Sequence, residues 1–125
     1  HICCGYPSYL DQKDYLKADK CAYQLLSKSL DNSLIDAISI EDAHCKSQDL
    51  SFIKNIKNKT LVFGAISIAN SKIETVTEIQ NRIKELLQFI PKERLIIAPD
   101  CGLGYLPKDI LISKLKNMVE ASKNI

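Results

Sequence analysis

The chain has 125 residues, which is enough for one domain with a hydrophobic core, and its composition is that of an ordinary soluble globular protein. The formal net charge is +2 and the basic residues are spread along the chain, so the sequence gives no support for a nucleic-acid surface. No apolar run approaches the roughly 20 residues that cross a bilayer, so neither a membrane nor a nucleic acid is expected as a partner.

The apolar pattern predicts helices and strands that alternate along the chain. In chain order, we predict a loop over 1–7, a helix over 14–30, a strand over 34–40, a helix over 47–57, a strand over 60–68, a helix over 73–89, a strand over 94–98 and a helix over 108–122. Continuous apolar strands separated by amphipathic helices are typical of an α/β fold with a parallel sheet. Three strands cannot close a barrel, so residues 1–125 form either a small open α/β domain or the last part of a TIM (β/α)8 barrel.

The helical spacing also predicts which side chains face the core. Cys21 is expected in the core beside the inner face of the first predicted helix, which carries Tyr15, Ala18, Ala22, Leu25, Leu26 and Ser29. The inner face of the helix over 47–57 carries Leu50, Ile53 and Ile56. The inner face of the last helix carries Ile110, Leu111, Leu115, Met118 and Val119.

The first residue and the cysteines indicate the origin and compartment of the chain. A chain that begins at His1, with no basic and apolar leader, is expected to be a piece of a longer protein without a signal peptide. The cysteines are odd in number and lack the spacing of a disulfide framework: Cys3, Cys4, Cys21, Cys45 and Cys101. Free or metal-bound thiols in a reducing compartment, the cytoplasm, are therefore expected.

Four residues with metal-binding side chains fall near the predicted ends of strands: His1, Cys3, Glu41 and Cys101. In an α/β barrel the reactive residues collect at the carboxyl ends of the strands, so this coincidence favours the last part of a barrel. Imidazole, thiolate and carboxylate are the ligands of zinc. On spacing alone, an ordinary buried thiol at Cys101 is an equally good interpretation, because free cysteine is among the most buried residue types.

A zinc ion with these ligands has a predictable chemical preference. Two anionic sulfurs and a carboxylate make the site rich in electrons, so the metal would activate water poorly. Such a zinc is suited to holding a substrate thiol as a nucleophilic thiolate, which points to alkyl transfer to sulfur.

Three segments resemble the zinc-ligand motifs of cobalamin-independent methionine synthases, in the same order: 1–3 (His-Ile-Cys), 39–41 (Ser-Ile-Glu) and 99–103 (Pro-Asp-Cys-Gly-Leu). The segment 74–95 resembles the one that leads into the last ligand of that family. The resemblance implies that the chain is the C-terminal portion of the family's catalytic (β/α)8 barrel. It also implies a Zn²⁺ ion held by His1, Cys3, Glu41 and Cys101, and methyl transfer from a folate donor to homocysteine, which gives methionine.

The sequence departs from the long-chain enzymes of that family in two places. The interval from His1 to Glu41 looks longer, with extra residues around 6–20. The family's histidine that helps to protonate the departing group has no counterpart in 68–70 (Ile-Ala-Asn). The chain looks closer to the short, single-domain relatives, so the resemblance allows either a methyl-folate or a methyl-corrinoid protein as the donor. The groups that hold the substrates lie mostly upstream in the family, so the chain alone is expected to be inactive.

Several alternatives accompany this hypothesis. The fold could be a metal-free barrel like the uroporphyrinogen decarboxylases, or a non-enzymatic α/β module with structural cysteines. Cys4 could replace Cys3 as the ligand, whereas His44 and Cys45 are expected to be loop residues. Asp42 or Asp100 could orient His1, although solvated loop carboxylates and helix caps are the commoner roles.

Overall fold

A three-stranded parallel sheet forms the centre of the computed structural model, which describes residues 1–19, 21–123 and 125. The strands are β1 (Ala37–Ile40), β2 (Thr60–Ile66) and β3 (Leu95–Pro99), in the spatial order β1-β2-β3. Ile38 of β1 lies beside Leu61 of β2, and Val62 of β2 lies beside Ile96 of β3. The predicted α/β fold with parallel strands is therefore confirmed.

Three α-helices accompany the sheet: α1 (Cys21–Asp31), α2 (Val76–Leu86) and α3 (Lys108–Lys123). Two short 3-10 turns cover Ser51–Asn55 and Lys92–Arg94. Helix α2 begins where Thr75 closes a capping box with Glu78, which fixes its start three residues after the predicted one at 73. None of the helices in the described part of the chain has the length and apolar character to span a membrane.

The hydrophobic core lies between the central strand and the helices. Leu61, Phe63 and Ile66 of β2 and Leu86 of α2 are all 0% exposed. Burial of each such side chain stabilises the fold by about 1.5–3 kcal/mol relative to an exposed position. The continuous apolar run of β2 is explained by its place between two strands, with side chains buried on both faces.

The first predicted helix is wrong in its N-terminal half. Residues 14–19 are irregular, Lys20 lies outside the described residues, and α1 begins at Cys21. Contacts with distant residues hold this segment away from a helix: the backbone N–H of Ala18 donates to the carbonyl of Cys4 at 2.8 Å, and the Tyr15 hydroxyl bonds to His44.

The inner face of α1 also differs from the prediction. Its buried residues are Tyr23, Ser27 and Asp31, whereas Leu25 is 80% exposed and Cys21 is exposed rather than in the core. The polar stripe is buried because it meets polar partners: Asn55 donates to the Ser27 hydroxyl at 2.9 Å. Tertiary hydrogen bonds therefore decide the orientation of this helix against its apolar pattern.

Smaller corrections concern the bounds of two other elements. The predicted helix over 47–57 is only the 3-10 turn Ser51–Asn55, although Leu50, Ile53 and Ile56 are buried as expected. The predicted strand over 34–40 begins at Ala37, and Leu34 is fully exposed before it.

In α3 the buried side chains include Lys114, whereas Val119 is 47% exposed and does not face the core. The Lys114 ammonium donates to the Ser67 carbonyl at 2.9 Å and to the Glu74 carboxylate at 3.0 Å. A paired lysine thus occupies a core position that the predicted apolar face did not include.

Candidate metal centre

The candidate ligands lie at the carboxyl ends of the parallel strands. Ile2 forms a parallel bridge with Ile40, and its N–H donates to the carbonyl of Ser39 at 2.8 Å, so His1 and Cys3 lie beside the end of β1. Glu41 follows β1 directly, and Cys101 lies two residues beyond the end of β3. The alternation of strands and helices places all four residues at the same edge of the sheet.

Three of these side chains form a cluster. Among the described residues, one group of histidine, cysteine and acidic side chains could hold a metal ion, and it consists of His1, Cys3 and Cys101. One ligand atom from each lies within 4.8 Å of the others. The Nε2 atom of His1 is 2.5 Å from the Sγ atom of Cys101, and its Nδ1 atom is 2.9 Å from the Ser39 hydroxyl. We call this group the thiol–imidazole cluster.

Glu41 lies beside the thiol–imidazole cluster without belonging to it. Its side chain is 0% exposed, one carboxylate oxygen accepts the backbone N–H of Cys4 at 3.1 Å, and the other forms an ion pair with Lys17. The structure thus brings together three of the four predicted ligands and leaves the fourth with a lysine. Cys4 points elsewhere, because its thiol is 3.7 Å from the Tyr23 hydroxyl.

Electrostatics around Cys101 favour the neutral thiol in the absence of a cation. Burial raises the pKa of the Cys101 thiol, the contact with the Tyr6 hydroxyl lowers the pKa, and the neighbouring Cys3 raises it again. A cation placed in the cluster would reverse this preference, because a thiolate is stabilised by a nearby positive charge.

The Tyr6 hydroxyl is buried beside Cys101. Among the described residues, this hydroxyl is the one buried side-chain polar group that has no hydrogen-bond partner in good geometry. Burial, followed by the contact with Cys101, raises the pKa of Tyr6 far above its ordinary range, so the hydroxyl keeps its proton. An unmatched donor therefore faces the thiol–imidazole cluster.

Asp100 fixes the loop that follows β1. Its buried carboxylate accepts the backbone N–H groups of Asp42, Ala43 and His44 at 2.8–2.9 Å. Burial raises the pKa of Asp100 to about 6, and the three N–H donors oppose that rise. Since Cys101 follows Asp100 directly, this carboxylate ties the loop that carries Cys101 to the loop that carries Glu41.

Close packing at Gly64 makes the Asp100 contact possible. A β-carbon at Gly64 would lie 2.2 Å from the Asp100 carboxylate and 3.0 Å from the carbonyl of Ile40. Only a residue without a side chain fits this position on β2.

The other acidic candidate has a structural partner. Asp42 accepts two hydrogen bonds from the guanidinium of Arg82, at 2.7 and 2.8 Å, and one from the backbone N–H of Ser47. The contacts found for His1 are with Ser39 and Cys101, so the suggestion that Asp42 or Asp100 orients His1 is not supported. Neither carboxylate is solvated, because both are buried.

His44 and Cys45 lie outside the thiol–imidazole cluster, in line with their assignment as loop residues. The ring nitrogens of His44 contact the Tyr15 hydroxyl and, at 3.0 Å, the Ser67 hydroxyl. Burial and the nearby Lys17 lower the pKa of His44, which favours the neutral ring. His44 and Ser67 also line a polar cavity of about 240 Å³ at the ends of β1 and β2.

Sequence reasoning missed Lys17, Tyr6 and Ser39. Lys17 and Tyr6 belong to irregular segments, whose path depends on contacts with distant residues and leaves no periodic signal. Ser39 had a detectable signal in the sequence, because it is the one polar residue of the strand Ala37–Ile40.

Fold and site together define a class: an α/β protein with a nitrogen–sulfur donor group at the carboxyl ends of parallel strands. Residues 18–124 match the model of the family described as "Cobalamin-independent synthase, Catalytic domain". The chain belongs to the cobalamin-independent methionine synthase family, as the resemblance of its motifs predicted.

Relatives in this family are similar over most of the chain. The "Methionine synthase" of Pyrococcus horikoshii is 37% identical over 101 residues, which are 81% of this chain and 30% of that protein. The "5-methyltetrahydropteroyltriglutamate--homocysteine methyltransferase" of Blochmanniella floridana is 39% identical over 93 residues, which are 73% of this chain and 12% of that protein.

A solved structure has the same fold over nearly the whole chain. It is a B12-independent methionine synthase from Shewanella sp. W3-18-1 in complex with selenomethionine, with a TM-score of 0.77 and 26% identity. The match covers 98% of this chain and 36% of that one. The chain therefore spans about a third or less of the length of the relatives that it matches.

Proposed function

We propose that the chain is the zinc-binding, C-terminal portion of a (β/α)8 catalytic barrel that transfers a methyl group to the thiol of homocysteine and gives methionine. The observation that carries this proposal is the thiol–imidazole cluster at the strand ends of a chain from this family. The name of the Blochmanniella floridana relative supports homocysteine as the acceptor and a methyl-folate as the donor. A methyl-corrinoid protein is the second candidate donor, because the chain also matches shorter relatives: the aligned segment is 30% of the Pyrococcus horikoshii protein and 12% of the Blochmanniella floridana protein.

The donor set of the cluster suits zinc. One imidazole nitrogen and two thiol sulfurs are typical zinc ligands, and soft sulfur disfavours magnesium and calcium. His1, Cys3 and Cys101 would hold the ion, and Glu41 would be the fourth ligand. When bound, the zinc supplies a positive charge that keeps the substrate thiol in its nucleophilic thiolate form.

The chain's own side chains position this set. The Ser39 hydroxyl contacts Nδ1 of His1, which leaves Nε2 directed at Cys101. Asp100 holds the loop after β1 against the loop of Cys101 through three N–H groups. The unmatched Tyr6 hydroxyl offers a hydrogen bond to a polar group of the acceptor when it reaches the cluster.

The segment 68–70 (Ile-Ala-Asn), which corresponds to the region of the family's proton-donating histidine, has no titratable side chain. Ala69 is fully buried, and Asn70 lines the polar cavity at the ends of β1 and β2. The proposed reaction therefore takes its proton from another group or from water.

The five free cysteines support a reducing compartment, so we place the protein in the cytoplasm.

Zinc content tests the proposal. The full-length protein is purified as wild type, as Cys101→Ser and as Cys21→Ser, which replaces an exposed cysteine outside the cluster. We expect one zinc per chain in the wild type and in Cys21→Ser, and loss of both zinc and methyl transfer in Cys101→Ser. Full zinc or full activity in Cys101→Ser would contradict the proposal, and zinc-free wild type would favour a metal-free barrel.

A further inference from the structure

The ion pair between Lys17 and Glu41 occupies a ligand that the proposed zinc site needs. The carboxylate of Glu41 has one oxygen on the Lys17 ammonium and the other on the backbone N–H of Cys4. The Glu41 side chain is 0% exposed and that of Lys17 is 16% exposed, so water screens this pair weakly. Each carboxylate oxygen therefore has a partner already, and a metal that binds Glu41 has to compete with these partners.

The position of Lys17 is fixed by its neighbours in the irregular segment 14–19. The N–H of Ala18 donates to the carbonyl of Cys4 at 2.8 Å, next to the Cys4 N–H that contacts Glu41. The Lys17 ammonium lies 5.7 Å from the centre of the Tyr15 ring, and the Tyr15 hydroxyl bonds to His44. The segment therefore delivers the ammonium to Glu41 through contacts on both sides of Lys17.

We propose that Lys17 competes with the metal for Glu41, so that Glu41 exchanges between the Lys17 ammonium and the zinc and Lys17 lowers the zinc affinity of the site. This inference rests on the proposed function, because it takes Glu41 as the fourth ligand. It assigns to Lys17 a role in metal affinity, distinct from direct contact with the substrate.

Lys17 lowers the zinc affinity of the site through two physical effects. A buried carboxylate requires a cationic partner, and Lys17 and the zinc compete for the same carboxylate. The ammonium also repels the incoming dication at short range in a poorly screened site. In the exchange no covalent bond forms or breaks at Lys17: the ammonium leaves the carboxylate as a cation, and the zinc takes its place.

The test compares Lys17→Met with Lys13→Met, which removes an exposed lysine just before the segment 14–19, in the full-length protein. Zinc dissociation constants are measured by competition with a chromogenic chelator at fixed pH. We expect Lys17→Met to bind zinc about five- to tenfold more tightly than wild type, because the competing ion pair is gone. Lys13→Met and the conservative Lys17→Arg are expected to bind as wild type does.

A double-mutant cycle separates competition from a general structural effect. In a Glu41→Gln background the Lys17→Met change is expected to tighten zinc binding less than it does with Glu41 present, because competition for the carboxylate is absent and only the repulsion by the ammonium is removed. If Lys17→Met folds poorly, Lys17→Gln removes the charge and keeps a hydrogen-bond donor, and the same tightening is expected. Wild type with one zinc and no tightening in these variants would overturn the inference and leave the proposed function standing. Wild type without zinc would overturn both.

Discussion

At the level of single residues, the site depends on a glycine, Gly64, on the neighbouring strand β2. Asp100 reaches the loop after β1 only because Gly64 has no β-carbon in the way. We expect Gly64→Ala to lower the free energy of unfolding by about 1–3 kcal/mol, since an added β-carbon must push back the backbone of Asp100 or Ile40. Urea unfolding measures this change.

Gly104→Ala is the matched control for that substitution. A β-carbon at Gly104 meets nothing within 4 Å, so this variant is expected to be as stable as wild type. Equal stability of the Gly64 and Gly104 variants would show that the strand tolerates the clash, and would remove the special role of Gly64.

The sequence predicted the residues of the site better than their contacts. It singled out His1, Cys3 and Cys101, and the structure brings their ligand atoms within 4.8 Å of one another. Their role as zinc ligands remains a prediction. The pairing of Glu41 with Lys17 could not be anticipated, because it depends on the path of an irregular segment that tertiary hydrogen bonds determine.

At the level of elements, the capping box of α2 gives a pH-dependent contribution to stability. The ammonium of Lys72 and the N–H and hydroxyl of Thr75 lower the pKa of Glu78 from 4.5 to about 2. A carboxyl whose pKa is lowered by folding stabilises the protein above its unfolded pKa, and this contribution is lost as the pH falls toward the folded pKa. The contribution of Glu78 is therefore present above about pH 5 and decreases toward about pH 2.

Glu78→Gln tests this contribution. We expect the difference in unfolding free energy between wild type and Glu78→Gln to be larger above about pH 5 than near about pH 3. Denaturant unfolding at the two pH values measures the difference, and Glu93→Gln, on the exposed turn before β3, controls for removal of a carboxylate. A difference that does not change with pH would contradict this account of the cap.

Elements with a strong apolar period were predicted well, and those held by polar contacts were not. The central strand β2 and helix α2 lie within the predicted ranges because burial of their apolar residues specifies their positions. Helix α1 buries Tyr23, Ser27 and Asp31, and α3 buries Lys114, because hydrogen bonds to distant groups outweigh the apolar pattern there. Such partners are invisible in a local window of sequence.

At the level of the whole molecule, the sheet has an outer strand with an unpaired edge. In the described part of the chain β3 pairs with β2 alone, and Ile96 on that strand is 51% exposed. Exposed strand edges with apolar side chains promote association between chains. We therefore expect the 125-residue chain, when produced alone, to self-associate, as measured by size-exclusion chromatography with light scattering.

Ile96→Lys is expected to reduce this association, because a charge on the edge strand opposes pairing. Leu25→Lys places the same charge on an 80% exposed position of α1 and is expected to leave association unchanged. A single monomeric species of the unmodified chain would contradict the expectation and would favour an α/β unit that is stable by itself.

The contact between Asp100 and the loop after β1 has a consequence for how such a protein diverges. The carboxylate binds three main-chain N–H groups, which every residue except proline supplies. As far as this contact is concerned, mutations at Ala43 are neutral, and the loop can drift in sequence while it keeps its shape. Asp100 contributes through its carboxylate and Gly64 through the absence of a β-carbon, so these two positions are expected to change more slowly during evolution than the loop that Asp100 holds.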